Sequence, residues 1–301
     1  MNRRSLYIET KINCDFDTLW TYTQDPFLHQ QWDLRFSEIK YLPKDNPAQP
    51  QKFLYVTKIG FGIRVNGIGE SVATKTKCNG ESTSVLKFSS DNNLSIIKQG
   101  SGYWKYVPEA GGIKFFTGYD YETRWGLFGK LFDKFIFRPL MIWATAWSFD
   151  CLKNWIEKGL HPAQAINAQR TVLFSNMALG LVWIYQGLVP KLLFTNTGEI
   201  EILKQLGLFN GNEKTILTFI GFAEIIFGFL ILFVHKKIVH IANVVALLLL
   251  TVAAMFSNST ILTLPFNPFS LNTAMIALSF ISVIHLKHLP KAANCITKQK
   301  Q

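Results

Sequence analysis

The chain has 301 residues, four cysteines, a formal net charge of +11 and a pI near 9.4, and 49% of it is apolar. That composition excludes a disordered chain and leaves room for two domains. Cys14, Cys78, Cys151 and Cys295 form no CxxC pair and no metal spacing, so no metal site is expected and free thiols in a reducing cytosol are.

Charge is uneven along the chain. Through Lys158 there are 21 basic and 16 acidic residues; from Gly159 onward there are 10 and 4. The lysines are scattered, with no basic run and no RNA-type aromatic motif, so no nucleic acid partner is expected. Attraction to anionic lipid accounts for the same charge. The opening MNRRSLYIETKINCDF has charge but no apolar core, so no signal peptide is expected and the first half should stay in the cytoplasm.

Residues 7–13 alternate as a strand does. Asp15 offers an N-cap for a short helix with Phe16, Leu19 and Trp20 on one face, and Asp25-Pro26 breaks it before a second short turn, FLHQQW. Extended segments follow over 37–42, 52–59, 63–76, 82–89, 94–107 and 113–124. Turn chemistry separates them at 44–47, 60–62, 78–80, 91–93 and 109–112, with Asn79-Gly80 the strongest hairpin signal. A helix dense in aromatics, 129–158, closes the first half, and Pro139 should kink it. Its aromatic face reads as core packing, with a ligand cavity or the membrane as the competing destinations.

This order of elements, with FDTLWTYTQDPFLHQQWD at 16–33, resembles the START-like, polyketide-cyclase-type (SRPBCC) superfamily over most of residues 3–158. The resemblance implies an α+β helix-grip fold: an antiparallel sheet wrapped around the closing helix, with a hydrophobic pocket between them. Members bind lipids, polyketides or other apolar molecules, and only some are enzymes. The candidate pocket groups are His29, Trp32, Asp33 and Arg35 after the second short helix, Arg64 and Glu70 in one extended segment, Tyr119, Glu122 and Arg124 in another, and Trp143 and Trp147 on the closing helix. For the charged pairs the competing reading is a solvated outer face. Gly60-Phe61-Gly62 and Gly67-Ile68-Gly69 lack the third glycine and the following helix of a dinucleotide loop; they read as a turn and a strand irregularity.

Residues 159–170 read as a linker, with His161-Pro162 stopping the long helix. Four apolar spans follow at 171–193, 215–234, 238–256 and 271–286, the last short and able to start after Pro268. The second, at 20 residues, is long enough for a bilayer core of about 30 Å. Residues 290–301 read as a tail. Arg170, Lys236, Lys237, Lys287, Lys291, Lys298 and Lys300 flank one side of the spans, against Lys191, Lys204 and Lys214 on the other. The bias places both termini in the cytoplasm and the protein in the inner or plasma membrane.

WIYQGLVPKLLF at 183–194, with GFAEIIFG at 221–228, resembles the DoxX-like family of four-helix membrane proteins over about 171–289. Some relatives belong to thiosulfate:quinone oxidoreductases or redox complexes; no catalytic residue carries over. The second expected domain is therefore an all-α four-helix transmembrane bundle. Within it Trp183, Gln186, Lys191, Glu224 and Asn243 form the candidate polar site. Glu224 stands at mid-span, where an unpaired carboxylate costs several kcal/mol. Trp183 and Tyr185 should face the bundle. Gln186, Glu224 and Asn243 are placed to converge, as a hydrogen-bond clasp or a ligand site. Lys191 could pair with Glu199 or Glu201 or extend to the interface. His235, His240, His285 and His288 read as helix-end residues, with a metal, haem or quinone site as the alternative.

The leading expectation is a membrane-anchored binding protein for a hydrophobic ligand such as a lipid, quinone or polyketide-like molecule, with its pocket in the first domain. The alternative is a membrane redox enzyme or subunit working with quinone. No cofactor is assigned beyond quinone or another bound lipid. The expected partners are the bilayer, a hydrophobic small molecule, and a redox partner or second copy.

Overall fold

The Asp15 carboxylate caps the first helix, accepting from the Thr18 amide at 2.8 Å, and Asp25 caps the second, accepting from Phe27 and Leu28. One Asp-Pro step thus ends α1 (Phe16–Gln24) and opens α2 (Pro26–Trp32), with Pro26 in the first turn where its missing N–H costs nothing. The computed structural model containing these elements describes residues 5–46, 49–60, 62–78, 80–196, 198–205, 207, 211–257, 263, 265 and 267–299. Of the expected turn residues, Pro47, Phe61 and Asn79 lie outside that set.

The chain divides into two units: Met1–Ala165 with Pro290–Gln301, and Ile166–Leu289. The first is built on a seven-stranded antiparallel sheet. Its strands are β1 (Leu6–Ile12), β2 (Glu38–Tyr41), β3 (Gln51–Gly60), β4 (Ile63–Thr76), β5 (Ser82–Ser89), β6 (Ile97–Glu109) and β7 (Gly112–Thr123), in the order β1-β7-β6-β5-β4-β3-β2. The strands after α2 form a meander that returns to β1. Register shifts at Lys58/Gly60, Ser71/Ala73 and Ile97/Gln99 bend it. Gly67 and Gly69, expected as an irregularity, pair in regular register with Tyr55 and Phe53. They are glycines because those rings lie over them: a Cβ at either position would run into the facing aromatic side chain.

The closing helix has three parts, α3 (Gly126–Phe132), a π-helical turn (Asp133–Phe137) and α4 (Arg138–Lys158). The wide turn sits just before Pro139, where a helix must give up a hydrogen bond. The two halves of the aromatic helix go to different places. Trp147, Phe149 and Leu152 are buried, with Phe149 stacked 4.6 Å from Phe115 of β7, whereas Phe128, Leu131, Phe135, Leu140 and Trp143 are exposed. Gly159, in the left-handed region at φ 65°, ends α4.

Two boundary segments carry structure of their own. Within the expected linker at 159–170, Pro162 opens α5 (Pro162–Leu188), which runs on without a break. Of the expected tail at 290–301, residues 290–299 are described and pack on the first unit's sheet and helix. Ile296 and Glu9 exchange backbone hydrogen bonds at 2.9 Å along β1, and the buried Asp150 carboxylate of α4 accepts from the Lys291 amide at 2.7 Å and from Asn294 at 2.9 Å. The physical reason is that β1 is an edge strand, with backbone groups left over for a partner.

The second unit holds the rest of α5, a π-helical turn (Val189–Leu193), α6 (Glu199–Gln205), α7 (Glu213–Phe233), α8 (Lys237–Ser257) and α9 (Pro268–Leu286). Four helical stretches, Pro162–Leu193, Glu213–Phe233, Lys237–Phe256 and Pro268–Leu286, are long and apolar enough to cross a membrane. Glycines set the approach of α5 to α7. A Cβ on Gly228 would lie 2.8 Å from the Gly180 carbonyl, and one on Gly221 would lie 2.9 Å from the Gly187 carbonyl. Pairs spaced seven apart on both helices let the backbones touch, the usual way apolar helices associate in lipid.

Candidate functional site

Pro190 cannot donate to the helix before it, and α5 ends in the π-helical turn Val189–Leu193. Lys191 in that turn is only 8% exposed. Its ammonium lies 3.0 Å from Glu224 Oε2 and 2.9 Å from Glu199 Oε2, and donates to the Gln186 carbonyl at 3.3 Å. Glu224 reaches it because Gly187 and Gly221 bring α7 against α5. One cation is thus held between two carboxylates. Glu224 Oε2 is buried, with the Lys191 ammonium as its ion-pair partner.

These groups line a cavity of about 670 Å³ inside the second unit. Trp183, Gln186, Lys191, Glu199, Glu224 and Asn272, with Asn267 and Ser270, supply its polar wall, and Leu217, Ile220, Leu247, Leu250 and Met275 much of its apolar wall. The volume falls within the range of small-molecule sites, and so does the pattern of a few polar groups in an apolar wall.

Of the expected intramembrane group, Trp183, Gln186, Lys191 and Glu224 line this cavity, and Asn243 does not. Asn243 lies behind it, fully buried, accepting from Trp183 Nε1 at 2.6 Å and donating to Ser279 at 2.7 Å. Its role is a clasp. Tyr185, expected to face the bundle with Trp183, is exposed; it is two residues on, where a helix has turned through more than half a circle. Lys191 chooses Glu199 over Glu201, which is exposed. Two further clasps escaped sequence reasoning: Asn272 donates to Thr251 at 2.9 Å, and Ser282 donates to Asn176 at 3.1 Å. Polar residues set within otherwise apolar spans, Asn176, Thr251, Asn272 and Ser282, were the available signal. Among the described residues, no three His, Cys, Asp or Glu side chains are grouped to hold a metal ion.

In the first unit, Asp33 and Arg35 form a buried bidentate pair, with Nε to Oδ1 at 2.8 Å and Nη2 to Oδ2 at 2.6 Å. Burial opposes ionisation of Asp33, but the guanidinium holds its carboxyl well below the usual carboxylate range. His29 lies 3.1 Å from the same carboxylate; burial pushes its pKa down, with Asp33 opposing. Because an ionised Asp33 only accepts, the neutral imidazole carries its proton on Nε2. Arg35 also faces the Tyr119 ring at 5.6 Å, and the Tyr119 hydroxyl bonds Thr145 of α4 at 3.0 Å.

The remaining expected pocket residues divide by face. Trp32 and Trp147 are buried, and Trp32 donates to the Tyr22 carbonyl at 2.9 Å as a core residue does. Arg64 and Glu122 are exposed on the outer face of the sheet, where Glu122 accepts from Gln99, and Glu70 lies between Lys52 and Lys87 in cross-strand register. Strand alternation puts them opposite the buried Val65 and Tyr121. Arg124 donates to the Ser90 carbonyl at the sheet margin, and Trp143 is exposed. The structure therefore gathers His29, Trp32, Arg35, Tyr119 and Trp147 in the interior and leaves Arg64, Glu70, Glu122, Arg124 and Trp143 outside it.

Residues 180–280 match the DoxX-like family. The chain is 45% identical over 233 residues to the uncharacterized membrane protein YndG of Bacillus subtilis (strain 168), spanning 74% of this chain and 86% of that one. Among solved structures, about half of the chain overlays a STAR-related lipid transfer protein from Xanthomonas axonopodis, at 14% identity, 84% coverage of that chain and a TM-score of 0.39. It also overlays the di-domain ARO/CYC StfQ of the steffimycin biosynthetic pathway, at 14% identity, 51% coverage and a TM-score of 0.38. The helix-grip assignment rests on the strand order and the helix packed beneath it, and the membrane assignment on the four apolar helices and the family match. The chain belongs to the family of the membrane protein YndG and joins a helix-grip domain to a DoxX-like four-helix domain.

Proposed function

We propose that this membrane protein binds a hydrophobic molecule with a small polar head, and that the molecule occupies the cavity of the four-helix unit rather than the interior of the helix-grip domain. The observation that carries this reading is the buried Lys191 ammonium, held between Glu199 and Glu224 on the wall of a largely apolar cavity of about 670 Å³. A carboxylate of this cluster can accept a charge-assisted bond from a hydroxyl or amine donor, and the Lys191 ammonium can donate to an acceptor on the same head. The tail would bury apolar surface at about 25 cal/mol per Å². A quinol or a lipid hydroxyl meets that description. Both termini lie in the cytoplasm on this reading. Removing the inward-facing Lys191 from the flank count strengthens the lysine bias.

Native mass spectrometry of the full chain in mild detergent, with solvent extraction, tests the proposal. A co-purifying amphiphile lost from Ala253→Trp, which fills the cavity, and kept by Ala144→Trp in α4 supports it. Loss from Ala144→Trp alone would move the ligand to the helix-grip domain. No amphiphile from either wild-type or variant protein, in several detergents and in lipid nanodiscs, would overturn it.

A further inference from the structure

The segment from Trp125 to Trp143 carries a surface that neither the cavity nor the core uses. Its inner side is tied down. Gly129 packs against the Arg124 carbonyl, and Asp133, fully buried, accepts from the Tyr121 hydroxyl at 2.5 Å. Its outer side is apolar and open: Leu127 is 74% exposed, Phe128 67% and Phe135 67%, and Leu131, Ile136, Leu140 and Trp143 continue the stripe. A monomeric soluble domain rarely leaves so much contiguous apolar surface in water.

The charges on the stripe select its occupant. Lys130 and Lys134 are exposed along it, and the Lys134 ammonium lies 5.1 Å from the centre of the Phe135 ring, its stem laid over apolar surface. Arg138 follows one turn on. Asp133 is the one acid between Trp125 and Trp143, and it is buried. A second copy docking by a twofold axis would bring both sets of lysines into one interface with no exposed carboxylate on the stripe to offset them. An anionic lipid surface supplies the missing charge, and this chain already carries four helices able to cross a bilayer. A tryptophan stands at each end of the stripe, half-exposed, a residue type suited to the headgroup level. Trp125 holds its place through a left-handed backbone at φ 62°, uncommon for a side chain of that size.

We propose that residues 125–143 form an interfacial helix that lies in the headgroup region of an anionic membrane, Phe128, Leu131 and Phe135 entering the acyl boundary and Lys130 and Lys134 meeting lipid phosphates. The helix-grip domain would then be held to the bilayer by its own surface as well as by the chain that follows it. This inference stands whether or not the four-helix cavity binds a ligand.

The test uses the full chain in nanodiscs of phosphatidylcholine and phosphatidylglycerol, with Cys14 and Cys78 replaced by serine. An environment-sensitive fluorophore is attached at Phe128→Cys, at Phe135→Cys, or at Lys87→Cys, an exposed position on the outer face of the sheet. Lipids brominated in the upper acyl chain should quench the first two labels at least about twofold more than the third, as expected of side chains sunk a few ångströms below the headgroups. Adding Lys130→Glu and Lys134→Glu should reduce that quenching in phosphatidylglycerol discs more than in phosphatidylcholine discs. Equal, weak quenching at all three sites would overturn the proposal. A blue-shifted label at Phe128 that brominated lipid does not quench would also overturn it, since the stripe would then be covered by protein.

Discussion

The ammonium of Lys191 stands 3.0 Å from Glu224, joining the end of the first membrane helix to the middle of the second. Neither residue is more than 8% exposed. Removing one partner leaves the other charge buried in an apolar bundle, so Lys191→Met should destabilise the four-helix unit by about 3 kcal/mol or more. The double variant Lys191→Met, Glu224→Gln should recover much of that loss. Thermal unfolding in nanodiscs measures both; a double variant no more stable than the single one would show that the pair is not coupled.

The glycine contact beneath that pair is equally specific. The backbones of α5 and α7 meet at Gly187 and Gly221, where a methyl has no room. Gly187→Ala should cost about 1–3 kcal/mol by forcing the helices apart. Gly198→Ala makes a useful contrast, since nothing lies within 4 Å of its added Cβ and any cost must come from its backbone at φ 89°. Detergent-resistance and melting curves of the two variants should differ in cause: only Gly187→Ala should also lower crosslinking between α5 and α7.

In the helix-grip domain, Asp33→Ala strands the Arg35 guanidinium in the interior and should cost about 3–5 kcal/mol. The pair also sets a pH dependence. Burial lowers the His29 pKa below its unfolded value, so its contribution is present above about pH 6.5 and declines as pH falls below that. Asp33, whose carboxyl is also held low, contributes above about pH 4, and that stability is lost as pH falls through its depressed folded value. Melting temperature against pH should therefore fall in two stages in wild type, and His29→Phe should remove the first.

The strap formed by the C-terminal segment should open when its anchor is cut. Asp150→Ala removes acceptors for the Lys291 amide and the Asn294 side chain. Amide exchange at Ile296 and Glu9, which pair only with each other across that bridge, should then rise together. A loss of about 1–3 kcal/mol in local stability is expected. Unchanged exchange would mean that the β1 edge alone holds the segment.

Thiol chemistry checks the packing independently. Burial pushes the Cys151 and Cys295 thiols up to about 12, and the Cys295 sulfur lies 3.3 Å from the Ala146 carbonyl. Cys78 is exposed. A maleimide at neutral pH should label Cys78 first and leave Cys151 and Cys295 unmodified until denaturant is added.

Much of this architecture is written locally. Strand alternation, the aspartate caps and apolar runs of bilayer length are short-range signals. They placed β4 over 63–76, α1 after Asp15 and the spans ending near Phe233 and Leu286 without any knowledge of neighbours. The face of a strand is local too, which is why a solvated outer face was the competing reading for Arg64 and Glu122. What only the tertiary structure decided is long-range. Lys191 and Glu224 are 33 residues apart, and their meeting depends on a π-helical turn and two glycine contacts that no periodicity encodes. The strap from 290 onward depended on β1 being an edge, and edges exist only once a sheet is assembled. The aromatic helix divides between core and surface because the sheet packs on one part of it and not the other; aromatic residues stand on both sides of that division.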